Sequence, residues 1–162
     1  MTKYTVPIQQ AGFTLVELLV VIFIIGILAA LLVTNLAGIR SRAEDSQAKA
    51  DLGELKKALR IYYNDYQAYP SDSSGAIIGC GASGTTICSD SFSNGSDTVY
   101  MKDLPENMSY YSDGDEEFLA VIELNNASDQ DISKSQAACS PDSRIYYTDG
   151  PIGATEYVVC TD

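Results

Sequence analysis

The run from Phe13 to Val33 holds 21 residues, of which only Thr14 and Glu17 are polar, and no soluble domain leaves such a stretch in water. As a helix it would be about 31 Å long, enough to cross a hydrocarbon core. The rest of the chain must therefore be organised around a segment that seeks lipid or other apolar helices. Glu17 stands at its head. A carboxylate inside a membrane segment costs roughly 2.5–3.5 kcal/mol on insertion scales, so it marks a functional site that needs a partner.

Beyond that segment about 90 C-terminal residues remain, enough for one small domain and no second. The net charge of −12 is uneven: residues 1–69 carry 7 basic and 6 acidic side chains, residues 70–162 carry 3 and 16. An acidic C-terminal surface argues against direct binding of nucleic acid or anionic lipid, both of which need clustered Lys and Arg. The four cysteines, Cys80, Cys88, Cys139 and Cys160, contain no C-x-x-C pair, so no zinc or thioredoxin-type site is expected. On the outer side of a membrane they read as two disulfides with three possible connectivities. Cys80 with Cys88 and Cys139 with Cys160 is the expected pairing, each closing a local loop. With no histidine, the chain offers no nucleophile–base pair, and it has no phosphate-binding glycine loop. Neither enzyme activity nor a cofactor or metal is expected. The Asp113–Glu117 cluster lacks the alternating spacing and trailing glutamate of a calcium loop and reads as a solvated turn.

Residues 1–12 are polar, include Lys3 and Pro7, and read as a leader. A simple secretory signal would be cut after the apolar run, near the small residues Ala29, Ala30 and Gly38, but the marked junction here is Gly12-Phe13 and the run exceeds the usual signal core. The stretch Gly12-Phe13-Thr14-Leu15-Val16-Glu17-Leu18-Leu19-Val20-Val21, continued by Ile22 to Leu32 and Asn35-Leu36, resembles the type IV pilins and type II secretion pseudopilins. The likeness is strong over residues 10–70 and holds beyond them in plan.

The resemblance implies cleavage after Gly12 by a membrane-embedded prepilin peptidase and N-methylation of Phe13. It implies that Glu17 is the subunit-assembly residue, pairing with the N-terminal amine of a neighbouring subunit. In a low-dielectric setting that attraction is far stronger than in water. The partners implied are identical or related pilin subunits, the peptidase, an inner-membrane assembly platform and, before assembly, the membrane itself. Many family members carry a helix-breaking proline where this chain has Thr34-Asn35, so local melting in a filament is expected at Gly26 instead.

Leu52, Leu55, Leu59, Tyr62, Tyr66 and Tyr69 recur at spacings of three and four, one helical stripe that predicts a packing face. The charged residues from Arg40 to Arg60 predict a solvated or subunit-facing surface, with Asp45 and Lys49 an i, i+4 pair. Pro70 predicts a helix end at Tyr69. From Phe13 to Tyr69 such a helix would be about 86 Å long. Residues 71–98, with 8 serines and 5 glycines, read as an irregular surface loop held by Cys80 and Cys88. Met108–Ser112 with Phe118–Leu124, and Arg144–Thr148 with Glu156–Cys160, read as two hairpins; Asn125–Pro141 reads as a loop.

The fold expected is α+β and pilin-like: a long N-terminal helix, its first half membrane-spanning, packed against a small antiparallel sheet. The expected divisions are a leader at 1–12, a membrane or filament-core half-helix at 13–34 and an amphipathic half-helix at 35–70. A Ser/Gly-rich loop at 71–98 and a disulfide-closed sheet region at 99–162 follow. The resemblance implies a prepilin polymerised into an extracellular type IV pilus-like filament for adhesion, motility or uptake. A type II secretion or DNA-uptake pseudopilin is the alternative; the major secretion pseudopilins carry an Asp-Pro-Trp-Gly type segment and a calcium site, and this chain has no tryptophan. A second alternative is a membrane-anchored surface binding module that never polymerises. Before assembly the resemblance places the N-terminus in the cytoplasm, as the disulfide-ready C-terminal part also suggests, although Arg40 and Arg42 after the segment run against the positive-inside tendency.

Overall fold

A computed structural model describes residues 12–95, 98–112, 114, 116–139 and 152–161, leaving out the side chains of 31–37. Residues 1–11 of the leader expected at 1–12, and the expected strand Arg144–Thr148, lie outside the described residues. The architecture is α+β, a long N-terminal helix with small antiparallel sheets, in two compact units, Met1–Ile39 and Arg40–Asp162. Helix α1 spans Leu15–Tyr66.

In the second unit, Leu52, Leu55 and Leu59 of α1 are fully buried, as their spacing predicts. Each contributes roughly 1.5–3 kcal/mol by leaving water. The stripe fades toward its end: Tyr62 is half-buried and Tyr66 is exposed. The helix also stops earlier than Pro70 requires. Gln67 takes a left-handed conformation with φ 55, its N–H donates to the Tyr63 carbonyl at 2.7 Å, and its side-chain amide donates to the Asn64 carbonyl at 3.1 Å. That local cap frees Tyr69 to turn back, where its ring meets Phe118 edge-on at 4.8 Å.

Residues 71–98 are no loose loop. They form β1 (Asp72–Ser73), β2 (Ala76–Cys80), β3 (Thr86–Ile87) and β4 (Phe92–Ser93); β1, β2 and β3 make one antiparallel sheet, and β4 pairs with β5 (Val99–Met101). Ile77 and Phe92 are fully buried in the core of Leu52, Leu55 and Leu59. The serines and glycines sit largely in turns between sparse apolar anchors, so average composition hides the burial. A Cβ on Gly95 would run into the Ala82 backbone, so this crossing tolerates no side chain. The disulfides are Cys80–Cys88 and Cys139–Cys160.

Strands β6 (Met108–Ser112), β7 (Phe118–Glu123) and β8 (Glu156–Cys160) form an antiparallel sheet in the order β6-β7-β8. Among the described residues β8 pairs with β7, Leu119 opposite Cys160 and Glu123 opposite Glu156. Strand β7 is buried on both faces: Phe118, Ala120 and Ile122 join the core under α1, while Leu119 and Val121 join Tyr111, Val158 and the Cys139–Cys160 bridge on the other side. Asp113 and Asp115 of the expected turn lie outside the described residues, but Gly114 has φ +81, which favours glycine. The Tyr110 hydroxyl donates to the Pro70 carbonyl at 2.8 Å, and burial pushes its pKa up.

The expected loop at 125–141 contains a helix, α2 (Gln130–Ala138). Asp129 caps it, its carboxylate accepting from the Asp131 N–H at 2.9 Å, and Ile132 anchors it in the core. The Asp45–Lys49 expectation fails for a related reason: both charges are used across the fold. Asp45 is 3% exposed and accepts from Asn125 N at 2.7 Å, Asn125 Nδ2 at 3.2 Å and Asn126 N at 3.0 Å. Lys49 Nζ lies 2.9 Å from both Asp129 and Asp131.

Hydrogen bonds from Lys49 hold the carboxyl pKa values of Asp129 and Asp131 below the usual 3.8, with further help from the Asp131 N–H and from Lys134 respectively. Groups depressed in the folded state contribute stability above their unfolded pKa and lose it as pH falls through the folded value. Thermal stability is therefore expected to drop on acidification below about pH 4, less steeply in Lys49→Met than in the parent chain. Identical pH profiles from thermal melts between about pH 2 and 6 would rule this cluster out as the cause.

Candidate assembly site

Within the first unit the described apolar side chains find no core. Every large one from Phe13 to Leu28 is exposed, from 88% at Phe13 down to 48% at Val20. A continuous apolar surface of this kind marks contact with a membrane or with other proteins. Among the described residues no helix is long and apolar enough to cross a membrane. The sequence continues the apolar run through Leu31, Leu32 and Val33, whose side chains lie outside those described.

The residues expected to carry processing and assembly stand together at the head of this surface. Gly12 has open space around it, since a Cβ there would meet nothing within 4 Å, and Phe13 follows in the irregular lead-in to α1. Thr14 is the cap residue. Its backbone N–H and its hydroxyl both donate to Glu17 Oε2, at 2.9 and 2.8 Å, while Glu17 N lies 3.3 Å from Thr14 Oγ1 and donates to it. Leu18 N then donates to the Thr14 carbonyl at 3.3 Å. This is a capping box, two otherwise orphaned donors satisfied reciprocally, with a carboxylate at the positive end of the helix dipole.

Glu17 therefore has a partner inside its own chain. The signal is present in the sequence as Thr14-x-x-Glu17, the capping-box spacing, and is masked when Glu17 is read only as an acid in a membrane segment. In the isolated chain the carboxylate is held within one helical turn of the Gly12-Phe13 bond. A free amine on Phe13 would thus arise one residue from a group already bonded to that carboxylate.

The remaining candidate residues lie elsewhere. Cys80, Cys88, Cys139 and Cys160 all belong to the second unit as disulfides, and among the described residues no group of acids or cysteines could hold a metal ion.

Residues 8–33 match the prokaryotic N-terminal methylation motif. Type II secretion system core protein G of Aeromonas hydrophila is 45% identical over 67 residues, 41% of this chain and 47% of that protein. The protein of the same name from Escherichia coli (strain K12) is 45% identical over 67 residues, 41% of this chain and 46% of that protein. That of Pseudomonas aeruginosa is 45% identical over 67 residues, 41% and 47% of the two chains. The chain spans about half the length of the curated relatives it matches. No solved structure matches.

Proposed function

We propose that this chain, which resembles the type IV pilin and pseudopilin family, is a pseudopilin: a structural subunit, not an enzyme, that polymerises into the short filament of a type II secretion-like system. The observation that carries the reading is the wholly exposed apolar surface of Phe13–Leu28 with Glu17 at its head, inside the matched methylation motif. The names of the relatives favour the secretion filament over a surface pilus.

In this reading a membrane-embedded prepilin peptidase cuts between Gly12 and Phe13 and methylates the new amine. Before assembly the chain is held in the membrane by Phe13–Val33, with its N-terminus in the cytoplasm and the disulfide-closed unit outside. An assembly platform then moves subunits from lipid into the filament. The exchange involves little change in solvent for the apolar side chains, so packing and the Glu17 contact must supply direction and register. Glu17 leaves Thr14 for the amine of the adjoining subunit, and each subunit then sets the axial position of the next.

Mass spectrometry of the mature protein tests the central step: a chain beginning at Phe13 and carrying one added methyl group is expected. An intact Gly12-Phe13 bond, or a start near Gly38, would overturn the proposal. Deleting the chain is expected to block protein export without removing long surface filaments. Long filaments labelled by an antibody to residues 71–162 would instead assign it to a pilus, and a processed chain that stays monomeric would make it an anchored binding module.

A further inference from the structure

We propose that Asn107 is the acceptor of an N-linked saccharide, through the sequence Asn107-Met108-Ser109 at the start of β6. The inference rests on the reading that the disulfide-closed unit lies outside the membrane, where Asn-x-Ser marks a glycosylation acceptor.

The sequence holds three such triplets with a residue other than proline in the middle: Asn94-Gly95-Ser96, Asn107-Met108-Ser109 and Asn126-Ala127-Ser128. The fold separates them. Asn94 is half-buried, and its Nδ2 donates to the hydroxyls of Tyr66 and Tyr100, while its Oδ1 accepts from Thr98 N at 3.2 Å. A sugar on Nδ2 replaces one of the two N–H groups, so that pair of bonds would not survive it. Asn126 is half-buried too, with its Oδ1 fixed on Ser128 N at 3.2 Å and its backbone N–H on Asp45 at 3.0 Å. A sugar there would crowd the anchor that ties this turn to α1.

Asn107 differs from both. It is exposed, in the turn just before β6, and its side chain bonds to no described residue. Its left-handed backbone, φ 57, accounts for an asparagine at this position, since asparagine adopts that conformation more readily than most residues. It does not account for Ser109, which sits in β6 opposite Val121, where β-branched or aromatic residues are favoured. The Ser109 hydroxyl bonds to no described residue either. Its side chain lies 3.6 Å from where a Cβ on Gly75 would stand, so packing asks for a small residue there, and alanine would meet that need without a hydroxyl. Asn107 also lies on the rim of a groove of about 1240 Å³ beside α1, larger than the roughly 300–1,000 Å³ of a small-molecule site. The attachment point thus opens onto free volume and not onto packed protein.

The co-substrate is a saccharide carried on a lipid diphosphate, and a host transferase joins the two. Asn107 Nδ2 attacks C1 of the sugar; the C1–N bond forms, the C1–O bond breaks, the diphosphate leaves with its electron pair, and the amide gives up one proton. No oxidant or reductant enters. Transfer to the emerging chain, before β6 pairs with β7, gives the enzyme both side chains, and the folded turn then leaves the sugar in solvent. An occupied Asn107 must face outward in any filament, so the glycan also fixes which side of the unit is no subunit contact.

Mass spectrometry of the full chain purified from its host provides the test. Trypsin cuts after Lys102 and Lys134, which puts Asn107 and Asn126 on the peptide 103–134 and Asn94 on the peptide 61–102. Peptide 103–134 is expected to carry added saccharide mass, placed on Asn107 by electron-transfer fragmentation. Asn107→Gln and Ser109→Ala should each abolish it, whereas Ser109→Thr, Asn94→Gln and Asn126→Gln should leave it in place. Ser109→Ala keeps the asparagine and its turn, so loss of the sugar in that variant reports the acceptor sequence and not the fold. An unmodified peptide 103–134, a sugar only on Asn94 or Asn126, or a sugar that persists in Asn107→Gln would overturn the proposal. If the same spectra show a chain beginning at methylated Phe13 with an unmodified 103–134, the pseudopilin reading stands and the glycan alone is lost. A chain neither cut at Phe13 nor glycosylated would remove both.

Discussion

Glu17→Gln is expected to leave α1 capped and the chain correctly processed, yet to block assembly as fully as Glu17→Ala. Glutamine can take the glutamate's place in a capping box, so the bonds from Thr14 survive in some form. Loss of the cap in the alanine variant costs about 0.5–2 kcal/mol, a local effect on the first turn. Pairing between a carboxylate and the amine of a neighbour is larger. At about 4 Å and an effective dielectric near 20, two unit charges attract by about 4 kcal/mol, which is roughly a thousandfold in an equilibrium. Thr14→Ala, which removes a cap bond and keeps the charge, is expected to lower assembly far less. Immunoblots of sheared or cross-linked filaments would measure all three variants. If Glu17→Gln polymerises like the parent, the carboxylate serves only its own helix and the register role is wrong.

A second large effect is expected at Asp45. Its oxygens accept three N–H bonds from Asn125 and Asn126, residues 80 and 81 positions away in the chain. Removing the acceptor loses charge-assisted hydrogen bonds, about 1.5–3 kcal/mol each at most, though exposed Asn125 and half-buried Asn126 can turn to water and alanine's better helix propensity offsets a further part. Asp45→Ala should therefore destabilise the Arg40–Asp162 unit by about 3 kcal/mol, lowering its melting midpoint by roughly 10 °C. Asp45→Asn keeps one acceptor oxygen and should fall between the two. Thermal unfolding followed by near-UV circular dichroism would check the order. A midpoint for Asp45→Ala within a degree or so of the parent would show that this carboxylate does not hold the segment after β7 to α1.

The N-terminal site is readable because its chemistry is local. Cap residue and acid fall within the first turn of one continuous apolar helix, and hydropathy and spacing report what happens over such local distances. Leu52, Leu55 and Leu59 are readable for the same reason. The run at 71–98 misleads because its few apolar residues, Ile77 and Phe92, are separated by turn residues, and a composition average weights the turns. Helix α2 escapes the pattern because it is short and polar, with one buried anchor, Ile132, and depends on Asp129, Lys49 and the β8 strand for its place.

By itself the sequence determined that Phe13–Val33 must leave water, that Thr14 and Glu17 stand at its head, and that a one-faced helix must cover a small sheet. Those are properties of neighbouring residues and of their preference between water and an apolar phase. Only the tertiary structure decided that Asp45 binds Asn125 and Asn126, that Lys49 reaches Asp129 and Asp131 in place of completing an i, i+4 pair, and that β8 pairs with β7. Each of those contacts joins groups tens of residues apart, and nothing along the intervening chain records which distant donor a buried acceptor will meet.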